Sequence, residues 1–509
     1  MGAGTAGSTW LALPARTRTC RLSRRLHQDC SGARWCRREG ILTSRSAHPL
    51  TQMATKADQI PSTHATKSAY EEYVNPQWVS LLNLLGLNEE YECCRGSELY
   101  TKDGRRILDF LSGYCVHNPG HNHPYIVEAL KDELDKAGPA MLQSHVPEPA
   151  GALAERLCEL AGGGLRKVYF GSSGSEGVEA AIKFARATTG RTGIVYAQNS
   201  FHGLTAGALS LMSDEFWREG FGPLLPDFVG VPFNDLAALE KALSTERNAA
   251  FIVEPVQAEA GIRLPSRTYL PEAQELCRKY GSLFIVDEVQ TGMFRTGTFL
   301  VAHQFELQPD MVVLAKALSG GLVPVGAVLM TDRVYTSVYS SLKRAIVHTS
   351  TFSENSLSMR AGLATLEVLE REKLGPRALH LGERFRADLK RALAPFEIVK
   401  EVRGAGLLCG IEFTAPRRLA LRALYEAFHQ IHPAMFGQVL VMRMFREHHI
   451  LTQICGNNFM VLKAAPPLVI TEEQLDAFVH AIQSTAELAD SSASFWNEAL
   501  SLARRAAKI

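Results

Sequence analysis

The sequence lacks a charge surplus, a cysteine framework and a membrane span, and each absence narrows the function. Lys and Arg number 54 against 53 Asp and Glu, a formal charge of +1 over 509 residues. With no basic excess, nothing supplies the electrostatic footprint of a nucleic-acid binder. Ten cysteines are scattered with no C-x-x-C pair. A chain of this size needs no disulfide staples, so they read as reduced, intracellular thiols. Residues 1–30 hold no continuous apolar core, so no secretory signal is expected. Met311 to Met330 is apolar and about the length of a membrane span. It is interrupted by Lys316, Gly320-Gly321 and Pro324, so it reads as a buried strand, loop and strand. There is no internal repeat, and after residue 60 no low-complexity tract.

What is present is ordinary soluble-protein composition, 46% hydrophobic and 21% charged, at a length that fits two to four domains. The first 52 residues stand apart, with nine Arg, no Lys and two acids, Asp29 and Glu39. This resembles a mitochondrial transit peptide. An over-long start upstream of Met53 is the favoured alternative, since a translated GC-rich frame also gives Arg without Lys. Either way residues 1–60 are expected to be a disordered extension outside the chemistry.

The body alternates short apolar runs with helical patterns. The runs Lys167–Phe170, Gly193–Ala197, Phe251–Val253, Leu283–Val286, Met311–Leu314 and Val325–Leu329 are continuous, as expected of strands buried on both faces. They predict an α/β fold with a mostly parallel sheet covered by helices. Beyond about residue 375 the pattern changes: a Gly-broken strand-like stretch at Val399–Phe413, helices over Pro433–His448 and Glu472–Ala486, and a short strand at Met460–Lys463. These predict a smaller α+β domain over 373–509, joined by 61–115, around a large domain at 116–372. Ligands in such sheets sit at the carboxyl ends of the strands, and four motifs fall there.

Gly171-Ser172-Ser173-Gly174-Ser175-Glu176 opens a helix. It reads as a phosphate cradle or as a plain Ser/Gly N-cap. It is neither a Walker loop nor a GxGxxG fingerprint. Phe201-His202-Gly203 follows the second run, where an aromatic can cover a flat ring or simply fill the core. Asp287 ends the run Leu283–Val286, where a carboxylate must be paired. A protonated pyridine nitrogen suits it better than a metal, since no His or Cys cluster is near. Lys316 stands alone between apolar runs and a Gly-Gly loop. Such surroundings disfavour its charge and make a nucleophilic, Schiff-base-forming amine.

In this order the motifs resemble the class III, fold type I, pyridoxal-phosphate aminotransferases, a group that includes ornithine, acetylornithine, 4-aminobutyrate and polyamine aminotransferases. The resemblance runs from about Tyr70 to Ile482. It also draws on Glu254-Pro255-Val256-Gln257, Asp287 to Gly292, Ser350-Thr351-Phe352 and Pro466-Pro467-Leu468. It implies a transaminase with pyridoxal 5'-phosphate as cofactor, an amine donor and a 2-oxo acid acceptor such as 2-oxoglutarate, in a ping-pong cycle. By the same resemblance Lys316 forms the covalent link to the cofactor and Asp287 faces the ring nitrogen. Phe201 and Val289 cover the two ring faces, Gln290 reaches the ring hydroxyl, and Gly174 and Ser175 bind the phosphate. Thr351 resembles a phosphate-binding threonine supplied by the neighbouring subunit, which implies a homodimer. Glu254 and Glu259 match acidic positions near the substrate amine, and Tyr114 lines the entrance.

Three departures bear on the substrate. Lys463 stands where relatives acting on α-amino acids carry Arg, so a point charge replaces a two-pronged grip. Leu204 replaces an Arg after Phe-His-Gly, and Ser353-Glu354 replaces Gly-Gly. These favour a donor recognised by its distal amine, whether diamine, polyamine, ornithine-like or ω-amino acid, with Lys463 receiving the acceptor carboxylate. A decarboxylase or aminomutase of the same fold is the alternative. His117, His121 and His123 are read as a structural loop before a helix at Pro124, with no metal, and Ser494–Ala507 as a packed or solvated helix. The expected location is the cytoplasm, or the mitochondrial matrix if residues 1–52 are a transit peptide.

Overall fold

A computed structural model describes residues 68–142, 144–431 and 435–506; the expectations for residues 1–60 lie outside them. The first strands, β1 (Tyr91–Arg95), β2 (Glu98–Thr101) and β3 (Arg106–Asp109), form an antiparallel meander. The late strand Ile450–Leu451 joins its edge in parallel.

The central sheet comprises β4 (Leu165–Gly171), β5 (Gly193–Ala197), β6 (Phe228–Val231), β7 (Asn248–Val253), β8 (Leu283–Asp287), β9 (Met311–Leu314) and β10 (Gly326–Thr331). Their spatial order is β4-β10-β9-β8-β7-β5-β6. All neighbours pair in parallel except β10, which runs antiparallel to both β9 and β4. The reason is length: 11 residues separate β9 from β10, fewer than the dozen or so that a parallel crossover needs. This short connection carries Lys316.

Alternation along the strands feeds two cores. Val195, Phe251, Phe284 and Val312 face one, and Ile194, Ile252, Ile285 and Val313 the other. The helix Gly174–Thr189 lies on the second face through Val178, Ala181 and Phe184. It lies so close that a Cβ at Gly177 would meet Val313 at 2.7 Å. The strand β6 was not foreseen. It is a four-residue edge strand, only its last residue is buried, and it lacks a continuous apolar run.

The late residues add a second antiparallel sheet, β11 (Val399–Ala405), β12 (Leu408–Phe413), β14 (Gln453–Cys455) and β15 (Asn458–Ala464), in the order β11-β12-β15-β14, with Ile450–Leu451 as β13. The C-terminal helix Ala493–Ala506 is packed rather than solvated along one face, with Phe495, Trp496, Ala499 and Leu502 buried. Among the described residues no helix is long and apolar enough to cross a membrane.

Candidate active site

The carboxyl ends of β4, β5, β8 and β9 converge on a cavity of about 490 Å³. Its lining includes Gly174, Ser175, Phe201, His202, Asp287, Val289 and Lys316. Among the described residues Lys316 is the only Lys or Arg in that lining and Asp287 the only carboxylate. Six of the eight residues expected to hold a cofactor are therefore brought together by the sheet. The other two are placed elsewhere. Gln290 is buried beside the cavity, and Thr351 is exposed on the loop before the helix Ser356–Arg371.

Each wall has a local cause. Ser173 caps the helix Gly174–Thr189 by accepting the Glu176 N–H at 3.1 Å, while the Glu176 carboxylate turns back to the Ser172 N–H. The N–H groups of Gly174 and Ser175 are thus left without acceptors among the described residues, at the positive end of a 16-residue helix. Gly203 keeps the Ser175 hydroxyl accessible: its φ is 121° and a Cβ there would stand 2.2 Å from Ser175 Oγ. Lys316 has φ 44°, a left-handed strain of the kind that persists where the surroundings over-determine a residue. Its Nζ has no hydrogen-bond or ion-pair partner among the described residues. Asp287, 4% exposed, accepts the Val289 N–H at 3.0 Å through Oδ1 and contacts His202 Nδ1 at 2.7 Å through Oδ2. His202 is buried and its Nε2 is unpartnered. His202 was quoted in the sequence motif without a role, and its adjacency to Phe201 was the only available signal.

A buried polar cluster adjoins the cavity. Glu254, directly after β7, accepts the Phe201 N–H at 2.8 Å. Glu259 Oε1 pairs with Lys463 Nζ and accepts Gln290 Nε2 at 3.2 Å. Lys463 is fully buried and lies 4.8 Å from the Tyr114 ring centroid. Burial alone would lift the Glu259 carboxyl, but Lys463 and the Gly456 N–H hold it below its ordinary value. Lys463 is pushed up by Glu259 against the opposing effect of burial. Tyr114 belongs to a run, Ser112 to Cys115, in which every residue has positive φ. Arg295, fully buried, ties that run to the late sheet. It donates to Ser112 Oγ at 3.3 Å, Asn118 Oδ1 at 2.5 Å, Leu407 O at 3.2 Å and Pro466 O at 2.5 Å. Sequence reasoning missed Arg295 because its partners lie up to 183 residues away. The three histidines have separate partners: His121 bonds Asp109, His123 bonds Glu372, and His117 stacks on His121.

Burial lifts Glu254 to about 7, opposed by His202 and aided by Asp287, and it lifts Glu288 to about 7 against hydrogen bonds from Thr291, Ala302 and Val301. Both groups bind protons more tightly folded than unfolded. Stability should therefore fall as pH rises from about 4.5 to about 7. Glu254→Gln removes its share, up to about 3 kcal/mol. Thermal unfolding across that range should show a shallower slope for the variant, and parallel curves would contradict it.

This constellation fits a pyridoxal-phosphate enzyme. A cradle of free N–H groups fits a phosphate, Phe201 and Val289 fit a flat ring, and Asp287 fits a ring nitrogen. The match to known proteins takes the assignment further. The model of the aminotransferase class III family covers residues 88–486. Aminotransferase PigE of a Serratia species is 35% identical over 460 residues, 84% of this chain. The chain spans about half of that protein's length, 54%. An ornithine aminotransferase of an Exiguobacterium species is 37% identical over 75% of this chain and 89% of its own. Among solved structures, the ornithine aminotransferase of Toxoplasma gondii superposes with TM-score 0.71 and 29% identity, covering 83% of this chain and 99% of that one. An amine transaminase from an uncultivated Pseudomonas species, solved in its PLP-bound form, gives 0.69 and 25%, covering 85% and 99%. The chain belongs to the class III aminotransferases: it is a transaminase, and its cofactor is pyridoxal 5'-phosphate.

Proposed function

We propose that this transaminase moves the amino group of a donor bearing a distal primary amine to a 2-oxo acid such as 2-oxoglutarate. The observation that carries the reading is the cavity whose lining among the described residues holds one lysine, Lys316, and one carboxylate, Asp287. Bound there, pyridoxal phosphate supplies a carbonyl that condenses with amines and a ring that accepts electrons. With the cofactor bound, Lys316 Nζ would hold the ring and then carry a proton from the donor carbon. Asp287 would hold the ring nitrogen protonated, and His202, in contact with its Oδ2, would orient it. Gly174 and Ser175 bind the phosphate. Phe201 and Val289 cover the ring and exclude water. Gln290, whose amide nitrogen donates to Glu259, would offer its Oε1 to the ring hydroxyl.

Lys463 is the cation for the acceptor. In this structure its charge is matched by Glu259, so an incoming carboxylate must compete with that glutamate. Among the described residues the lining holds no cation besides Lys316, which supports a donor without a carboxylate to be gripped. Leu204, where Arg was absent from the motif, is exposed and outside the lining. Lys463→Ala should raise the Michaelis constant for the 2-oxo acid by roughly tenfold or more, with the donor constant little changed. Steady-state kinetics with each substrate varied would show it, and an unaltered acceptor constant would contradict the assignment.

We further propose a homodimer in which Thr351 reaches the partner's phosphate site. The exposed apolar residues near it, Phe352 at 63% and Ile346 at 80%, support a covered face. We read residues 116–372 as the large domain, with 61–115 and 373–509 forming the small one. The cytoplasm is the proposed compartment, supported by seven unbridged cysteines among the described residues, with the mitochondrial matrix as the alternative.

A further inference from the structure

The turn between β14 and β15 is tied to the site by one side chain. Asn457 Oδ1 accepts the Trp217 indole N–H at 2.8 Å, and its Nδ2 donates to Asn199 O at 2.9 Å and Ser200 O at 3.2 Å. The indole can only donate and the carbonyls can only accept, so a single amide orientation satisfies all three. The same turn grips Glu259 twice. The Asn457 N–H donates to Glu259 O at 2.9 Å and the Gly456 N–H to Glu259 Oε2 at 2.8 Å. Trp217 in turn stands edge-on to Phe201, with centroids 5.4 Å apart and planes at 79°. One amide therefore joins the loop bearing Phe201, the short helix Glu215–Arg218 and the turn that holds Glu259.

We infer that Asn457, anchored by Trp217, is a positioning residue that sets how readily Lys463 is released to the acceptor carboxylate. The inference rests on the reading of Lys463 given above. The Gly456 N–H draws charge from Glu259 through Oε2 while Oε1 serves Lys463 and Gln290. A charge-assisted bond of this kind weakens the hold of the carboxylate on its other partner. When the turn loosens, Glu259 presents its full charge to Lys463, the pair tightens, and an incoming carboxylate competes less well. The donor half of the cycle does not use this competition.

The test separates the two half-reactions of the cofactor-loaded enzyme, followed by visible absorbance. Asn457→Ala should raise the acceptor concentration for half-maximal rate roughly five- to tenfold, leaving the donor half-reaction within about twofold. Trp217→Phe keeps the ring edge against Phe201 but loses the indole donor. It should give the same split at smaller amplitude, and it serves if Asn457→Ala folds poorly. In a Lys463→Ala background the Asn457 substitution should add nothing. The inference is overturned if Lys463→Ala raises the acceptor constant while neither Asn457→Ala nor Trp217→Phe does, or if both half-reactions slow alike. If Lys463→Ala itself leaves the acceptor constant unchanged, the reading of Lys463 fails, and this inference with it.

Discussion

Lys316→Ala should abolish transamination, with a loss of roughly 10⁴-fold or more in turnover. The argument is one of exclusivity. Among the described residues no other Lys or Arg lines the cavity, so none of them offers a second amine to anchor the cofactor or carry the donor proton. Removing a group with two roles in one cycle costs far more than removing a binding contact. The phosphate cradle at Gly174 and Ser175 and the ring walls at Phe201 and Val289 remain, so the variant should still take up pyridoxal phosphate without a covalent link. Borohydride reduction should fix cofactor to the Lys316 peptide of the wild type and to no peptide of the variant. Lys316→Arg separates charge from chemistry. It keeps a cation at the position but no amine that can be freed, and it should be as inactive as Lys316→Ala.

Asp287→Asn should lower turnover by on the order of 10²–10³. The amide can still accept the Val289 N–H, so the backbone turn after β8 keeps its support. What is lost is the fixed negative charge of the cavity lining, which no other lining residue among the described ones supplies. His202→Gln should have the same sign but a smaller effect, because His202 acts through Asp287 Oδ2. Pre-steady-state turnover at saturating cofactor would measure both. A variant at Asp287 with wild-type turnover would contradict the role given to this carboxylate.

Much of this architecture is legible from the chain alone, for identifiable reasons. The strands Gly193–Ala197 and Met311–Leu314 were readable to the residue, because central strands buried on both faces show as unbroken apolar runs. Asp287, Lys316 and Phe201 could be placed because each lies within a few residues of the end of such a run, and carboxyl ends of parallel strands gather in one place. The antiparallel course of β10 was implicit in the short connection from β9 but was not drawn from it. What resisted reading is long-range. The pairing of Lys463 with Glu259 spans 204 residues, and neither position carries a local sign of the other. Lys463 was foreseen as a point charge for the acceptor carboxylate, with no partner named, and the structure pairs it with Glu259. Asn457 and Arg295 are single polar residues whose meaning lies wholly in contacts made across the fold.

The most direct test of amino transfer follows the nitrogen itself. The cofactor-loaded enzyme is incubated with a ¹⁵N-labelled donor, putrescine, 4-aminobutyrate and ornithine labelled on the distal amine being the first choices, together with 2-oxoglutarate. The amino acid formed is then weighed by mass spectrometry. The account predicts that the heavy nitrogen appears in glutamate, with one donor class far ahead of the others, and that Lys316→Ala forms none. Consumption of the donor with the label retained in a decarboxylated or rearranged product, and none in glutamate, would contradict it.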